Sequence, residues 1–271
     1  MNRRLSSLLS CARIVLALAA MLCASGAGAS ANLHGLGVVY LHGKMSWPGA
    51  ANGGILSALK DEGALIAEPE MPWSLHRRYA ATYEQAMGEI DAVVAGLRAK
   101  GATRILIIGH SLGANAAFGY AARHPDLAGI VALSPAHLPD QDNMRSFVAD
   151  AVARAKKLIA EGQGNVPQTF PDMAQGIPLT ATATPDVYVS MFDPNGPAVI
   201  PKNAAIIGAA PRPMPVLWVV GKLDPIDRRG PEYAFNAAAK NPKSKYIEVF
   251  AGHLTTPLVA RGKVVDWINS L

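Results

Sequence analysis

Cysteine is nearly missing from this chain. Two of its 271 residues are cysteine, Cys11 and Cys23, and both fall in an N-terminal stretch that reads as a removable leader. Without that stretch there is no disulfide framework, no thiolate metal site and no cysteine nucleophile. Charge is scarce as well. Charged residues make up 17% and hydrophobic ones 50%, which is the composition of a chain with a sizeable core and not of a disordered one. A concentrated basic patch is also lacking. The formal net charge of +5 comes from 25 Lys and Arg against 20 Asp and Glu; without Arg3, Arg4 and Arg13, which lie in the acid-free leader, 22 remain against 20. Nucleic acid is therefore not an expected partner. Beyond the leader no apolar run is long enough to span a bilayer. No internal repeat and no linker divides the chain, so residues 32–271 are expected to form a single domain.

The leader has the three parts of a secretory signal peptide. Met1 to Arg4 is a short basic region, Ile14 to Ala20 is the clearest apolar run, and small residues follow from Ala24 to Ala31. Both Ala27-x-Ala29 and Ala29-x-Ala31 suit signal peptidase, so cleavage is expected after Ala29 or Ala31. The mature protein is expected to be soluble and exported, periplasmic or secreted, with no stable membrane span.

The remainder alternates strand and helix. Six apolar runs read as strands: Gly37–Leu41, Leu65–Ala67, Arg104–Ile108, Gly129–Leu133, Pro215–Val220 and Tyr246–Phe250. None alternates apolar with polar, which implies a mainly parallel sheet covered by helices on both faces. Among the helices, Thr82-x-x-Gln85 is a capping box before Met87, Ile90, Val93, Val94 and Leu97 at helical spacing. At the last helix Thr256 reads as the cap, with Pro257 at the first position. The alternation breaks between about residues 136 and 213. There a helix with Met144, Phe147, Val148, Ala151, Val152, Ala155, Leu158 and Ile159 on one face precedes a Pro-, Gly- and Thr-rich stretch. This insertion after the fourth strand is expected to be a small cap over the carboxyl ends of the strands, where open α/β sheets bind ligands.

The chemistry concentrates at four strand ends. Gly109-His110-Ser111-Leu112-Gly113 lies directly between a strand and a helix. A turn that sharp leaves no room for a side chain two residues either way, and it presents the serine oxygen at the head of a helix. Gly252-His253 follows the last strand. A neutral imidazole there can take the serine's proton and return it to a leaving group. His42, His110, His76 and His137 are rivals, with His76 and His137 in loops able to line a pocket, but only His253 follows the last strand. Asp224, in Gly221-Lys222-Leu223-Asp224-Pro225, sits past the fifth strand, where a carboxylate can orient the imidazole. Asp227 is the second choice and Asp193 a distant third. At His42-Gly43-Lys44, after the first strand, the backbone N–H of Lys44 can join that of Leu112 as a pair of oxyanion donors, each worth about 3–4 kcal/mol. The Lys44 side chain reads as solvated.

The order Ser111, Asp224, His253 and the motifs Tyr40-Leu41-His42-Gly43, Gly109–Gly113, Gly221-Lys222-Leu223-Asp224 and Gly252-His253 resemble the α/β-hydrolase superfamily. The resemblance covers about residues 37–271, apart from the insertion. It implies Ser111 as nucleophile, His253 as base, Asp224 as orienter of the base, and Lys44 and Leu112 as backbone oxyanion donors. It also implies that no metal or organic cofactor takes part. The superfamily's N-terminal antiparallel hairpin has no room ahead of the first strand, so a trimmed sheet is expected.

The function expected on these grounds is a serine hydrolase acting on small-molecule carboxylic esters, with thioesters or amides as related substrates. An acyltransferase on the same residues and a non-catalytic binding protein that keeps the fold are the alternatives; a peptidase ranks below them. Phe147, Tyr188, Met191 and Phe192 of the insertion read either as an apolar acyl pocket or as the cap's own core. Trp47, Trp73, Arg77 and Arg78 are candidates for the entrance.

Overall fold

The computed structural model describes residues 32–226 and 229–271. The expected leader and Asp227 lie outside the described residues. In chain order the elements begin with strand β1 (Leu36–Leu41), helix α1 (Ile55–Asp61), β2 (Leu65–Ala67), α2 (Tyr83–Ala99), β3 (Arg104–His110), α3 (Leu112–Ala121) and β4 (Gly129–Leu133). Then come α4 (Asp142–Ala160), β5 (Gln168–Ala174), β6 (Ile177–Ala183), α5 (Pro185–Phe192) and α6 (Ile200–Ala209). The chain closes with β7 (Val216–Gly221), α7 (Phe235–Ala238), β8 (Lys245–Val249) and α8 (Thr256–Asn269).

Six strands form one sheet in the order β2-β1-β3-β4-β7-β8, and every pairing in it is parallel. Successive side chains feed opposite faces. Val39, Leu41, Ile105, Ile107, Ile130, Ala132, Val216 and Trp218 enter one core with α2 and α3. Val38, Tyr40, Leu106, Ile108, Val131, Leu133, Leu217 and Val219 enter a second core with Ile55, Leu59, Val264 and Trp267 of α1 and α8. Two buried faces explain why the strands read as unbroken apolar runs. Helix α3 is buried along its whole length, as its apolar, alanine-rich sequence requires.

The capping box forms as expected: Gln85 N–H donates to Thr82, and Thr82 N–H to the Gln85 side chain. The last helix is shifted by one residue. Thr255 is its cap, so Thr256 is the first helical residue and Pro257 the second. Pro at either of the first positions is harmless, because those N–H groups have no partner inside the helix.

The insertion holds more regular structure than its composition suggests. β5 and β6 form an antiparallel hairpin in which Ala174 faces Ile177. Its two turn residues, Gln175 and Gly176, both have positive φ, 51° and 79°, the geometry that tight hairpins favour. Pro171 and Pro178 lie within these strands. A ribbon of two strands has a free edge on each, so a missing N–H is tolerated. The apolar piece Val187-Tyr188-Val189 is helical, started by Thr184 as cap and Pro185 in the first turn.

Candidate active site

The register of the sheet brings the functional ends level. Leu41 is beside Gly109 and Gly109 beside Ala132; Leu133 is beside Val219 and Gly221 beside Val249. The loops after β1, β3, β7 and β8 therefore meet at one edge.

Ser111 stands between β3 and α3 with φ 58° and ψ −121°, a conformation that costs a non-glycine residue about 1–3 kcal/mol. The surroundings enforce it. Ser111 N–H donates to Leu133 O at 3.0 Å, and Ser111 O accepts from Ala114 and Ala136. The flanking glycines are sterically required: a Cβ on Gly109 would lie 2.1 Å from Gly113 O, and one on Gly113 would lie 2.0 Å from Leu41 O.

Ser111 Oγ lies 3.0 Å from His253 Nε2, and His253 Nδ1 lies 2.7 Å from Asp224 Oδ2. All three residues are buried. A carboxylate acceptor on Nδ1 fixes the proton there, which leaves the Nε2 lone pair for the serine hydroxyl. Ile226 N–H donates to the other carboxylate oxygen at 2.9 Å. Burial pushes the Asp224 pKa up, but hydrogen bonding and charge from His253 and the Ile226 N–H outweigh it and hold the group below its ordinary value.

The other histidines are engaged elsewhere. The His42 Nδ1–H donates to Gly43 O at 2.8 Å, and Nε2 accepts from Met71 N–H at 3.0 Å. His110 bonds through Nε2 to His253 O, and burial, helped by the neighbouring His253, lowers its pKa to about 4. His137 bonds through Nε2 to Met191 O, and burial, helped by the Lys44 charge, lowers its pKa to about 3. His76 is exposed and pairs with Glu70. Asp193 pairs with Lys156.

The loop after β1 passes close to the serine: a Cβ on Gly43 would sit 3.1 Å from Ser111 Cβ. Among the described residues, nothing accepts from the backbone N–H of Lys44 or of Leu112. Leu112 is the first residue of α3, where N–H groups point outward with no helical partner.

The Lys44 side chain corrects the sequence reading. It is buried, not solvated, and its Nζ lies 2.5 Å from Asp172 Oδ1 and 3.0 Å from Met173 O. Tyr79 OH donates to the second Asp172 oxygen at 2.9 Å. The pull of Lys44 holds Asp172 below its ordinary pKa although burial pushes it up. Two further residues went unnoticed. Asp172 sits in a stretch without a motif, and Asn115 sits in an alanine-rich helix. Asn115 Nδ2 donates to His137 O and Ala198 O, and Oδ1 accepts from Tyr83 OH. One buried amide thus ties the start of the insertion and the turn before α6 to the helix behind the serine.

A cavity of about 170 Å³ opens in front of Ser111. Its walls include Leu112, Leu138, Met144, Met173, Gln175, Gly176, Ile226 and Leu254. Of the two readings of the insertion's aromatic residues, pocket or core, the core one holds for Tyr188 and Phe192. Tyr188 and Phe192 stack on each other, with Phe170 on the far side of Tyr188, inside the insertion's core. Met191 is buried with them, and Phe147 is exposed. Trp73 is buried with its Nε1–H on His42 O, Arg77 pairs with Glu89, and neither Trp47 nor Arg78 reaches the cavity.

The model of an alpha/beta hydrolase family matches residues 33–267. Several solved structures share the fold. One comes from work on LipS and LipT, two metagenome-derived lipolytic enzymes (15% identity, TM-score 0.62, covering 88% of this chain and 95% of that one). Another is a monoacylglycerol lipase from Paleococcus ferrophilus (22%, 0.61, 86% and 94%). A third is Est1E from Butyrivibrio proteoclasticus with bound ferulic acid (18%, 0.57, 86% and 88%). No curated protein matches the sequence.

Proposed function

The chain belongs to the alpha/beta hydrolase family, and from that premise we propose that it is a serine hydrolase of carboxylic esters. The observation that carries the reading is the continuous hydrogen-bonded path from Asp224 through His253 to Ser111, with links of 2.7 and 3.0 Å. Ser111 Oγ gives its proton to His253 Nε2 as it attacks the carbonyl carbon, and Asp224 stabilises the imidazolium. The oxyanion takes the free N–H groups of Lys44 and Leu112. Collapse breaks the bond to the alkoxy oxygen, and the alcohol leaves with the proton from His253. The acyl group stays on Ser111 until water, activated by His253, releases the acid. No step calls on a group from outside the chain other than water.

The test is labelling with a fluorophosphonate, wild type beside Ser111→Ala, with the modified peptide mapped and ester hydrolysis measured in parallel. Labelling at Ser111 and turnover that both vanish in the variant are expected. Failure of folded wild-type protein to label moves the non-catalytic binding reading to the front. Export belongs to the same proposal and rests on the first 31 residues. Its check is the N-terminus of the protein recovered outside the cytoplasm, expected at Ser30 or Asn32. Among the described residues, no helix is long and apolar enough to cross a membrane.

A further inference from the structure

The hairpin of β5 and β6 forms one wall of the cavity, through Met173, Gln175 and Gly176 beside its turn. It stands apart from the main sheet, so its position depends on what holds it. The open end is fastened within the insertion. Phe170 stacks on Tyr188 at 4.2 Å, Tyr188 OH donates to Pro171 O at 2.8 Å, and Arg154 donates to Thr169 O at 2.7 Å. The turn end is fastened to the hydrolase core by Lys44, whose ammonium meets Asp172 Oδ1 and Met173 O, with Tyr79 closing on the second carboxylate oxygen. The side chains of Lys44 and Asp172 are only 8% and 3% exposed. This fastening shares a residue with the proposed chemistry, because the backbone N–H of Lys44 is also a proposed oxyanion donor.

The cavity is small, and one side of it is open to solvent. A dry cavity of about 150 Å³ holds one benzene, and the space here is about 170 Å³. A short acyl chain or a single ring fits within it; an extended fatty acyl chain overfills it and must run out through the open side or displace the hairpin.

We propose that the Lys44–Asp172 ion pair holds the hairpin as a fixed wall and makes the protein selective for esters of short-chain or single-ring acids. The proposal rests on the ester-hydrolase reading and adds a substrate class to it. Lys44 and Asp172 act on selectivity as positioning residues, through the wall. Loss of the pair frees the turn end, and long acyl chains gain access.

The experiment compares kcat and KM for p-nitrophenyl butyrate, octanoate and laurate. The proteins are the wild type, Asp172→Asn, Met173→Ala and the double variant Lys44→Met with Asp172→Leu. The double variant replaces a buried pair by apolar residues of similar size, so no orphaned charge threatens folding. Wild type is expected to favour butyrate over laurate by about 100-fold in kcat/KM, the scale on which a filled pocket discriminates. Both pair variants should cut that preference about tenfold, mainly by lowering KM for laurate. Amide hydrogen exchange of residues 168–183 should speed up in the pair variants. Met173→Ala should relax selectivity while exchange stays as in wild type. A wild type that prefers laurate overturns the proposal, as do pair variants that slow every ester by one common factor. Absence of hydrolysis for every ester and every protein overturns the ester reading itself, and the selectivity falls with it.

Discussion

Two buried carboxylates, Asp224 and Asp172, do different work. In the proposed mechanism Asp224 holds an imidazole whose proton comes and goes in each turnover; Asp172 holds an ammonium whose pKa burial lowers and the carboxylate pulls back up. Both carboxylates sit below their ordinary pKa against the push of burial, each because of a cationic or hydrogen-bonding partner. The difference lies in what the partner touches. His253 reaches Ser111, whereas the Lys44 side chain reaches the hairpin wall. Burial and charge alone therefore do not mark a catalytic acid; the next link in the chain of contacts does.

Substitution separates the two most sharply in rate. Ser111→Ala should cost about 10⁶-fold in kcat, as removal of an acylating serine does elsewhere. Asp224→Asn should cost about 10⁴-fold with the fold intact, because the amide favours the wrong imidazole tautomer. Asp172→Asn should change kcat for a butyrate ester far less than either. A loss in Asp172→Asn as large as that in Asp224→Asn erases the distinction.

Stability should separate them in the opposite sense. Asp172→Asn leaves the buried Lys44 amine without its carboxylate, a change that costs about 3–5 kcal/mol. The double variant Lys44→Met with Asp172→Leu should recover most of that, since a well-packed apolar pair is often as stable as a buried ion pair. Urea midpoints measure both. A double variant no more stable than Asp172→Asn refutes this account of the cluster.

The same contrast decided what could be read in advance. Asp224 was legible because its neighbours carry information: an apolar strand, then Gly221, then a short turn to Pro225. Ser111 was legible because Gly109 and Gly113 record a steric demand that the structure meets within 2.1 Å. The four central strands were legible because burial on both faces strips them of polar residues. Asp172 was not. It lies in a two-stranded ribbon whose prolines and threonines look like loop, and its partner is 128 positions away. Lys44 shows the same limit: a lysine after a strand is usually solvated, and only the return of the hairpin buries this one. Tyr188 and Phe192 were placed in the right segment with their role open between pocket and core. Stacking within the insertion puts them in the core.

Each pair is also flanked by a buried histidine, and these two should govern the acid side of the stability curve. His110 lies against His253, with ring centres 5.1 Å apart, and has a pKa of about 4. His137 feels the charge of Lys44 and has a pKa of about 3. Both start from an ordinary value of 6.5. In the unfolded chain each imidazole takes up its proton near pH 6.5, while in the folded chain it stays neutral until pH 4 or below. Unfolding therefore binds protons between these limits, and stability, full above pH 6.5, falls as the pH drops. Each histidine contributes a slope of about 1.4 kcal/mol per pH unit near pH 5. Urea unfolding between pH 5 and pH 8 should show a slope of at least two protons at its acid end. His110→Asn should remove one proton from it and leave the share of His137. A profile that stays flat from pH 8 to pH 5 means that neither imidazole is held neutral. The closeness of His110 to the triad and of His137 to the Lys44 cluster then loses its electrostatic consequence.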